Sequence, residues 1–386
     1  MMKIKDVFTL QMGKTPARAK SEYYENGTNK WVSISDLSTY EKHVDDTKEH
    51  LTDIAVKESG IKLVPANTVI MSFKLSIGKT AITRESTYTN EAIMAFIPNN
   101  PETIIPDYLY YSFSGRDWEN GTNRAVMGAT LNKATIGELQ IDIPDLNTQR
   151  AVVERMDKVS ELIDLRKRQL AKLDELVKAR FVEMFGDPLT GTAKWPIQTV
   201  GDVAEAVDPQ PSHRTPPEVQ NGVPYISIKD CDYKTGNIDF ENARKVSANV
   251  LEEHINRYTL HEGDFIIGKI GTIGNPIFVP ARKDYTLSAN IVLVQPDSDK
   301  VSPYFLKYSF MSDFIERQFD EAKNSTSQAA FGIQKVRAIK ILKPELEVQK
   351  EFETFVKQLD KLKSTVQQSL DKLETLKKSL MQEYFG

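Results

Sequence analysis

The feature that most constrains the fold of this 386-residue chain is an internal repeat. Residues 146–186 and 346–386 align without a gap, at an offset of 200 and with 11 identities in 41 positions. Both segments begin with Leu-x-x-Gln and end with Phe-Gly. Because repeated segments fold as repeated structural units, the chain is predicted to contain one arrangement twice.

The segments that precede the two repeats match as well. Three short pairs align in the same order, at offsets that rise from 194 to 197: "SISD" at 33–36 with "SIKD" at 227–230, "VIMSFKLSIGK" at 69–79 with "FIIGKIGTIGN" at 265–275, and "YSF" at 111–113 with "YSF" at 308–310. The chain is therefore predicted to consist of two collinear halves, each a globular unit followed by one long helix. The predicted boundaries are 1–145, 146–186, 187–345 and 346–386.

The repeated segments have the pattern of long amphipathic helices. No proline or glycine occurs between Gln149 and Phe185. Apolar residues recur at steps of three and four, at 152, 156, 159, 163, 170, 173 and 177, and again from 352 to 380. Arg166 interrupts the first apolar stripe. A helix of about 37 residues is about 55 Å long and cannot bury its stripe alone, so the two helices are expected to pack together.

The globular halves are rich in predicted strands. The strand-like runs are "WVSIS", "TVIMSF" and "AIMAFIP" in the first half, and "VPYISI", "DFIIGKI" and "NIVLVQP" in the second. Each half adds a helix before its end, "DYLYYSFSG" and "SPYFLKYSFMSDFIERQF". Ser33, Asp36, Ser227 and Asp230 recur at equivalent strand ends and are interpreted as turn or cap residues.

Composition excludes several classes of protein. One cysteine and five scattered histidines exclude a disulfide framework and argue against a structural zinc site. No apolar run reaches membrane-spanning length, and the first residues lack a signal-peptide core, so a cytoplasmic, soluble protein without membrane partners is expected. The net charge of −4 gives no overall indication of nucleic-acid binding, so any such function has to come from local patches or from a partner.

Gly78-Lys79-Thr80 offers an alternative function, because it matches the end of a nucleotide-binding P-loop. A P-loop also needs a glycine five residues earlier, and Phe73 stands there. Gly78 aligns with Gly274 of the second half, and both are interpreted as turn glycines with positive φ. Loss of ATP binding in a Lys79→Ala variant would support the nucleotide alternative.

The sequence contains no convincing catalytic centre, and its binding signals lie in loops. Polar and basic segments recur at equivalent places, 12–20 with 209–217 and 121–133 with 323–335. Such side chains grip phosphates and read base edges, although solvated loops have the same composition. The candidate DNA-binding residues are Lys14, Arg18, Lys20, Lys74, Lys79, Arg124 and Lys133 in the first half, and Arg214, Lys229, Lys269, Ser327, Gln328 and Lys335 in the second.

The chain as a whole resembles the specificity subunits of type I restriction-modification systems. Three features carry the resemblance: Pro-x-Leu-x-x-Gln where each long helix begins (Pro144, Leu146 and Gln149; Pro344, Leu346 and Gln349), Phe-Gly where each ends, and Gly-Thr-Ile-Gly at 271–274. The resemblance implies an α+β fold with two target-recognition domains. Two long helices, packed as an antiparallel coiled coil, would separate these domains in a pseudo-two-fold body. Gln149 and Gln349 are expected to tie the helix starts to the preceding unit.

The resemblance also implies a function. Each domain would read one half of a bipartite site in the major groove of double-stranded DNA, and the helices would set the half-site spacing. The chain would have no catalysis and no cofactor of its own. S-adenosylmethionine would belong to two adenine-methyltransferase subunits, and ATP and magnesium to two restriction/translocase subunits in complexes that also cleave DNA.

Two questions stay open at this level. The negative charge implies either that methyltransferase partners supply much of the phosphate contact or that the basic residues named above are tightly clustered. A coiled-coil protein–protein scaffold with two ligand-binding lobes is the alternative to DNA recognition.

Overall fold

The computed structural model describes residues 1–74, 76–118, 131–212, 214–233, 235–269, 274–324 and 332–386. The chain divides into two compact units. Unit 1 comprises Met1–Lys167 and Gln368–Gly386, and unit 2 comprises Arg168–Gln367. Each unit thus contains one strand-rich part and portions of both long helices.

Unit 1 is built on a mostly antiparallel sheet. Its described strands are β1 (Met2–Lys3), β2 (Phe8–Met12), β3 (Asn29–Val32), β4 (His43–Val44), β5 (His50–Leu51), β6 (Val69–Ser72), β7 (Thr80–Thr83), β8 (Tyr88–Thr89), β9 (Ile93–Pro98) and β10 (Gln140–Ile141). Its described helices are α1 (Ile4–Val7), α2 (Ile34–Leu37), α3 (Asp53–Ser59), α4 (Pro106–Ser114) and α5 (Lys133–Glu138), followed by the long α6 (Leu146–Phe185), which ends in unit 2. The strand orders are β2-β9-β6-β7-β4, β5-β3-β8 and β1-β10.

Unit 2 has the corresponding elements. Its described strands are β11 (Ile197–Thr199), β12 (Ala204–Val207), β13 (Val223–Ile226), β14 (Lys245–Val246), β15 (Phe265–Gly268), β16 (Ile277–Phe278), β17 (Thr286–Leu287), β18 (Ile291–Pro296) and β19 (Lys340–Leu342). Its described helices are α7 (Ala248–Ile255), α8 (Pro303–Phe310), α9 (Asp313–Asn324) and α10 (Ile333–Arg337), followed by the long α11 (Leu346–Phe385), which ends in unit 1. The strand orders are β12-β18-β15-β16, β14-β13-β17 and β11-β19.

The two units share one topology, which confirms the predicted α+β class and the internal repeat. The antiparallel core β2-β9-β6 corresponds to β12-β18-β15, and the parallel pair β3-β8 corresponds to β13-β17. One predicted helix differs from expectation, because "SPYFLKYSFMSDFIERQF" forms α8 and α9 with a break at Met311 and Ser312. At this break the N–H groups of both residues bond back into the last turn of α8, and Asp313 starts a new helix.

Both faces of each main sheet are buried, which explains its continuous apolar strands. In β6, Val69 and Met71 belong to one hydrophobic cluster, whereas Ile70 belongs to another. In β15, Phe265 and Ile266 divide in the same way between two clusters. Because successive strand residues point to opposite faces, a sheet covered on both sides needs apolar residues at every position.

The long helices pack antiparallel within unit 1. Arg155 Nη1 donates to Tyr384 Oη at 2.8 Å, and Arg166 Nε donates to Ser369 Oγ at 3.2 Å. As the residue number rises along α6, that of its partner on α11 falls. Arg166, which interrupts the apolar stripe, is therefore accommodated by a polar partner on the facing helix.

The same antiparallel packing holds within unit 2. Lys363 Nζ lies 2.5 Å from Asp174 Oδ1, and the rings of Phe181 and Phe352 contact each other edge-on with centroids 5.4 Å apart. The predicted pairing of the long helices is thus confirmed in each unit. No helix in the described part of the chain combines the length and apolar character needed to cross a bilayer.

Each long helix is tied to the globular part of its unit by a buried glutamine. Gln149 and Gln349 are almost fully buried, with 0 % and 1 % of their surface exposed. The side-chain amide makes the same two contacts in both units: Oε1 accepts from a backbone N–H (Ile105 at 2.8 Å; Ser302 at 2.8 Å), and Nε2 donates to a backbone carbonyl (Pro144 at 2.8 Å; Pro344 at 2.9 Å). These bonds satisfy polar groups where the chain enters the helix.

The repeated Ser–Asp pairs are cap residues, as predicted. The Ser33 hydroxyl accepts from the Asp36 N–H while the Asp36 carboxylate accepts from the Ser33 N–H, so the pair forms a capping box on α2. Ser227 and Asp230 form the same box on a single helical turn. Both pairs therefore have a structural role.

Candidate nucleic-acid interface

The predicted binding loops of unit 1 leave one edge of its main sheet. Met12 at the end of β2 pairs with Met94, and Ser72 at the end of β6 pairs with Ile93, the first residue of β9. The loop segments 13–28, 73–74, 76–79 and 90–92 therefore share this edge, which we call the loop edge. It carries Lys14, Lys74 and Lys79.

Unit 2 has a loop edge at the equivalent place. Val207, at the end of β12, pairs with Leu293, and Gly268, at the end of β15, pairs with Ile291, the first residue of β18. The loops that begin at 208 and 269 therefore leave the sheet side by side. Arg214 and Lys269 lie in them.

Glycines hold the turns at both loop edges. Gly78 has φ +86° and Gly274 has φ +93°, a region that disfavours any residue with a Cβ. A Cβ at Gly78 would lie 2.9 Å from Trp118 Cδ1, and a Cβ at Gly274 would lie 2.4 Å from Phe319 Cε2. The two glycines have the same role, close packing of a hairpin turn against an aromatic ring.

Gly78-Lys79-Thr80 does not have the context of a P-loop. In a P-loop the Gly-Lys-Thr opens a helix, whose N-terminus faces the phosphates. Here Thr80 is the first residue of the strand β7. The backbone N–H of Gly78 is bonded to the Ser72 carbonyl at 2.9 Å, so it closes the hairpin and does not line a phosphate cradle.

Two candidate cations of unit 1 are held by carboxylates. The Arg18 guanidinium forms a two-bond ion pair with Glu49 (2.5 and 3.0 Å) and lies 4.7 Å above the ring of Tyr24. The Lys20 ammonium lies 2.8 Å from Glu58 Oε2. The hydrogen bond to Glu49 raises the pKa of Arg18, and the hydrogen bond to Glu58 raises the pKa of Lys20. The neighbouring carboxylate offsets the charge of each cation and so weakens its attraction for a phosphate.

Other candidates of unit 1 are more open. Lys74, Lys79 and Lys133 are exposed. Lys74 Nζ lies 5.4 Å from the centre of the Phe73 ring, and Lys133 is the first residue of α5. Lys14 is also exposed, but its Nζ donates to the carbonyl of Ser59 at 2.5 Å. The clearest exposed cations at this loop edge are thus Lys74 and Lys79.

The candidates of unit 2 lie in different surroundings. Arg214 and Lys229 are exposed, whereas Lys335 is half-buried and its Nζ lies 3.4 Å from the Ala322 carbonyl. Arg124, Ser327 and Gln328 lie outside the described residues.

Lys269 is buried in an ion pair that the sequence did not predict. Its side chain is only 5 % exposed, and its Nζ lies 2.6 Å from Asp208 Oδ2. A buried ammonium needs such a partner, so this position argues for a role inside the unit rather than as an exposed cation. In unit 1 the equivalent positions hold the apolar Met12 and Phe73. The equivalence of Met12 with Asp208 comes from the strand register and is one residue away from the alignment of 12–20 with 209–217, so no signal in the sequence identified Asp208.

A second charged cluster that the sequence did not predict joins the globular part of unit 1 to α6. The Lys42 ammonium lies 2.6 Å from Asp107 Oδ1 and 2.7 Å from Asp157 Oδ1. The Tyr111 hydroxyl also donates to Asp157 Oδ1, at 2.6 Å. Burial lowers the pKa of Lys42, but the hydrogen bonds to both carboxylates outweigh it and raise the pKa overall. Among the described residues, no cluster of His, Cys, Asp or Glu side chains could hold a metal ion.

Residues 1–175 and 193–375 match the family described as the type I restriction modification DNA specificity domain. The chain belongs to this family. Each match takes in one strand-rich part and most of the long helix that follows it, so the specificity domain occurs twice.

Curated relatives of this specificity-domain chain align over part of their length. The type I restriction enzyme MjaIX specificity subunit of Methanocaldococcus jannaschii is 27% identical over 189 residues, which are 48% of this chain and 43% of the relative. The EcoR124I/EcoR124II specificity subunit of Escherichia coli is 29% identical over 159 residues, 39% of this chain and 38% of the relative. These alignments thus span less than half of each relative.

Solved structures share the specificity-domain fold over the whole chain. The S subunit of a type I restriction-modification system from M. genitalium aligns with a TM-score of 0.56 at 12% identity, covering 100% of this chain and 95% of the other. A chain from a study of complex assembly and conformational transition in a type I R-M system aligns with a TM-score of 0.61 at 15% identity, covering 100% and 96%. The predicted family resemblance is therefore confirmed, and the scaffold alternative is not favoured.

Proposed function

We propose that this chain is the non-catalytic DNA-specificity subunit of a type I restriction-modification complex. Each unit reads one half of a bipartite site in the major groove. The observation that carries this proposal is one topology present twice, with equivalent loop edges that carry different side chains. A fixed frame with variable loops is the arrangement expected of two readers with different targets.

The partners follow from the same proposal. Two adenine-methyltransferase subunits bind the chain and hold S-adenosylmethionine, and complexes that also cleave DNA add two restriction/translocase subunits, which use ATP and magnesium. Four exposed leucines at repeat-equivalent positions on the long helices support docking there: Leu162, Leu176, Leu362 and Leu376, which are 42 %, 47 %, 53 % and 45 % exposed. In this role the chain needs no cofactor of its own and acts in the cytoplasm.

The long helices act as the spacer in this proposal. Each has 40 residues and is about 60 Å long at 1.5 Å per residue. Two linked readers gain affinity when the spacer matches the distance between half-sites, and DNA imposes a helical register on that match. The tolerated gap between half-sites therefore depends on helix length.

The proposal is tested by mapping methylated adenines in DNA. The chain is expressed with the methyltransferase subunits of its own system in a host that lacks other adenine methylation. The expected result is methylation at a bipartite motif with a gap of fixed length. A single uninterrupted motif, or methylation that does not depend on this chain, would contradict two-unit reading.

Removal of exposed lysines from the unit 1 loop edge is expected to weaken binding through phosphate contacts. In the assembled complex, Lys74→Ala and Lys79→Ala should each weaken binding to specific and nonspecific duplexes alike. Each should also lower the slope of log K against log salt by about 1. Lys3→Ala is the control. Lys3 lies in β1, which precedes β2, whereas the loop edge follows β2, so this variant should leave both the affinity and the salt slope unchanged. Equal slopes in all three variants would remove these lysines from the interface.

A further inference from the structure

In unit 2 a buried series of hydrogen bonds connects the three-stranded sheet to the loop that follows β12. The Leu287 N–H donates to the Tyr258 hydroxyl at 3.2 Å, and that hydroxyl lies 2.9 Å from Thr286 Oγ1. Thr286 Oγ1 in turn contacts His254 Nδ1, and His254 Nε2 lies 2.6 Å from Gln210 Oε1. His254 and Thr286 are each only 1 % exposed. Gln210 is the third residue after the end of β12.

Gln210 also forms hydrogen bonds within the loop that carries Arg214. Its Nε2 donates to Ser212 Oγ at 3.0 Å and to the Arg214 carbonyl at 3.2 Å, and its backbone N–H donates to Asp208 Oδ1 at 3.1 Å. The same Asp208 holds the buried Lys269. Hydrogen bonds therefore hold both the backbone and the side chain of Gln210 at the start of this loop.

The donors and acceptors in this series of hydrogen bonds define which ring nitrogen of His254 carries the hydrogen. Gln210 Oε1 can only accept, so His254 Nε2 must carry the hydrogen. In the neutral ring Nδ1 is then the acceptor for the Thr286 hydroxyl, and Thr286 Oγ1 accepts from the Tyr258 hydroxyl. Burial, together with the charge of Arg257, lowers the pKa of His254, in agreement with this neutral ring.

Unit 1 makes the corresponding connection with other chemistry. Gln11 pairs with Ala95, and Val207 pairs with Leu293 at the equivalent place in unit 2. Lys14, three residues after Gln11, therefore corresponds to Gln210. Its Nζ donates to the carbonyl of Ser59 at the end of α3, whereas Gln210 binds His254 near the end of α7. In both units a helix end holds the residue that lies three positions after this equivalent strand position.

We propose that His254 and Gln210 are positioning residues that determine how unit 2 discriminates its half-site, and that Lys14 has this role in unit 1. The inference rests on the proposed function. In unit 2 the loop start is held by directional hydrogen bonds to the buried His254, and in unit 1 by a bond from the exposed Lys14 to a helix-end carbonyl, so the exposed side chains beyond it approach DNA in one geometry. Loosening the anchor lets them adapt to other bases.

Two substitutions of His254 distinguish the loss of its hydrogen bond to Gln210 from a general disturbance of the surrounding core. His254→Asn keeps an acceptor near the Nδ1 position for Thr286 but does not reach Gln210. His254→Gln keeps a donor near the Nε2 position for Gln210. Each variant is assembled with the methyltransferase subunits of its system and presented with duplexes that are randomised in one half-site at a time. Exchange of residues 187–345 first identifies the half-site that unit 2 reads.

His254→Asn is expected to relax the preference at the unit 2 half-site by about tenfold, the discrimination of one base-pair contact, and to leave the other half-site unchanged. His254→Gln should retain the wild-type preference. Lys14→Met should relax the other half-site only. Equal relaxation by both His254 variants, or unchanged preference in both, would overturn the proposal.

A measurement without DNA keeps the inference testable apart from the proposed function. Amide hydrogen exchange in 210–215 of the full chain should be faster in His254→Asn than in wild type and His254→Gln. The exchange of β15 should be alike in all three. Unchanged amide exchange in 210–215 would contradict the role of His254 in holding this loop. Fast exchange combined with a wild-type complex that shows no half-site preference would instead refute the proposed function.

Discussion

Replacement of residues 1–145 with the corresponding residues of another family member is expected to change the bases methylated in one half-site only. The second half-site and the gap length should stay the same. The reason is that unit 2 has its own sheets and core, and the helix length that sets the gap is retained. Methylation mapping of the exchanged protein measures all three quantities at once.

The design of this exchange depends on the contacts between unit 1 and α6. Asp157 on the retained helix binds Lys42 and Tyr111 of the exchanged part, and Gln149 binds its backbone. The transplanted unit therefore has to carry a lysine and a tyrosine at the positions of Lys42 and Tyr111. The reciprocal exchange of 187–345 is the control and should change the other half-site. Altered reading of both half-sites by either exchange would contradict independent units.

Phe185→Ala is expected to lower the free energy of unfolding of unit 2 by about 3–5 kcal/mol. Phe185 is fully buried, and its ring lies 4.9 Å from that of Phe181, 4.7 Å from Phe305 and 5.5 Å from Phe352. It joins the end of α6 to α8 and α11, so truncation leaves a cavity where three helices meet. Urea unfolding followed by circular dichroism measures the effect.

Val182→Ala is the matched control for the phenylalanine substitution. Val182 lies on the same helix one turn earlier, but it is 50 % exposed. Its truncation should change the free energy of unfolding by less than about 0.5 kcal/mol. Since alanine favours the helix more than either residue that it replaces, a similar loss in the two variants would contradict a specific role for the packing of Phe185.

The positions of the long helices and main strands were predictable because their signals are local. An apolar step of three or four residues predicts a helix wherever it occurs, and a continuous apolar run such as 69–71 indicates a buried strand. The repeat then showed that two units share one design. Gln149 and Gln349 could be singled out because both copies place them at the start of the helix.

The partners of the charged loop residues could not be predicted in this way. In the sequence Lys269 is a candidate for an exposed cation, yet the pairing of β12 and β15 with β18 brings Asp208, which is distant along the chain, next to it.

By itself the sequence determined the repeat and the two classes of secondary structure, because these follow from periodicity along the chain, and its resemblance to type I specificity subunits indicated the family. Only the tertiary structure decided which cations are exposed and which are held, with Arg18 on Glu49 and Lys269 on Asp208. The physical reason is that burial and ion pairing depend on side chains that strand register and helix packing bring together from distant positions.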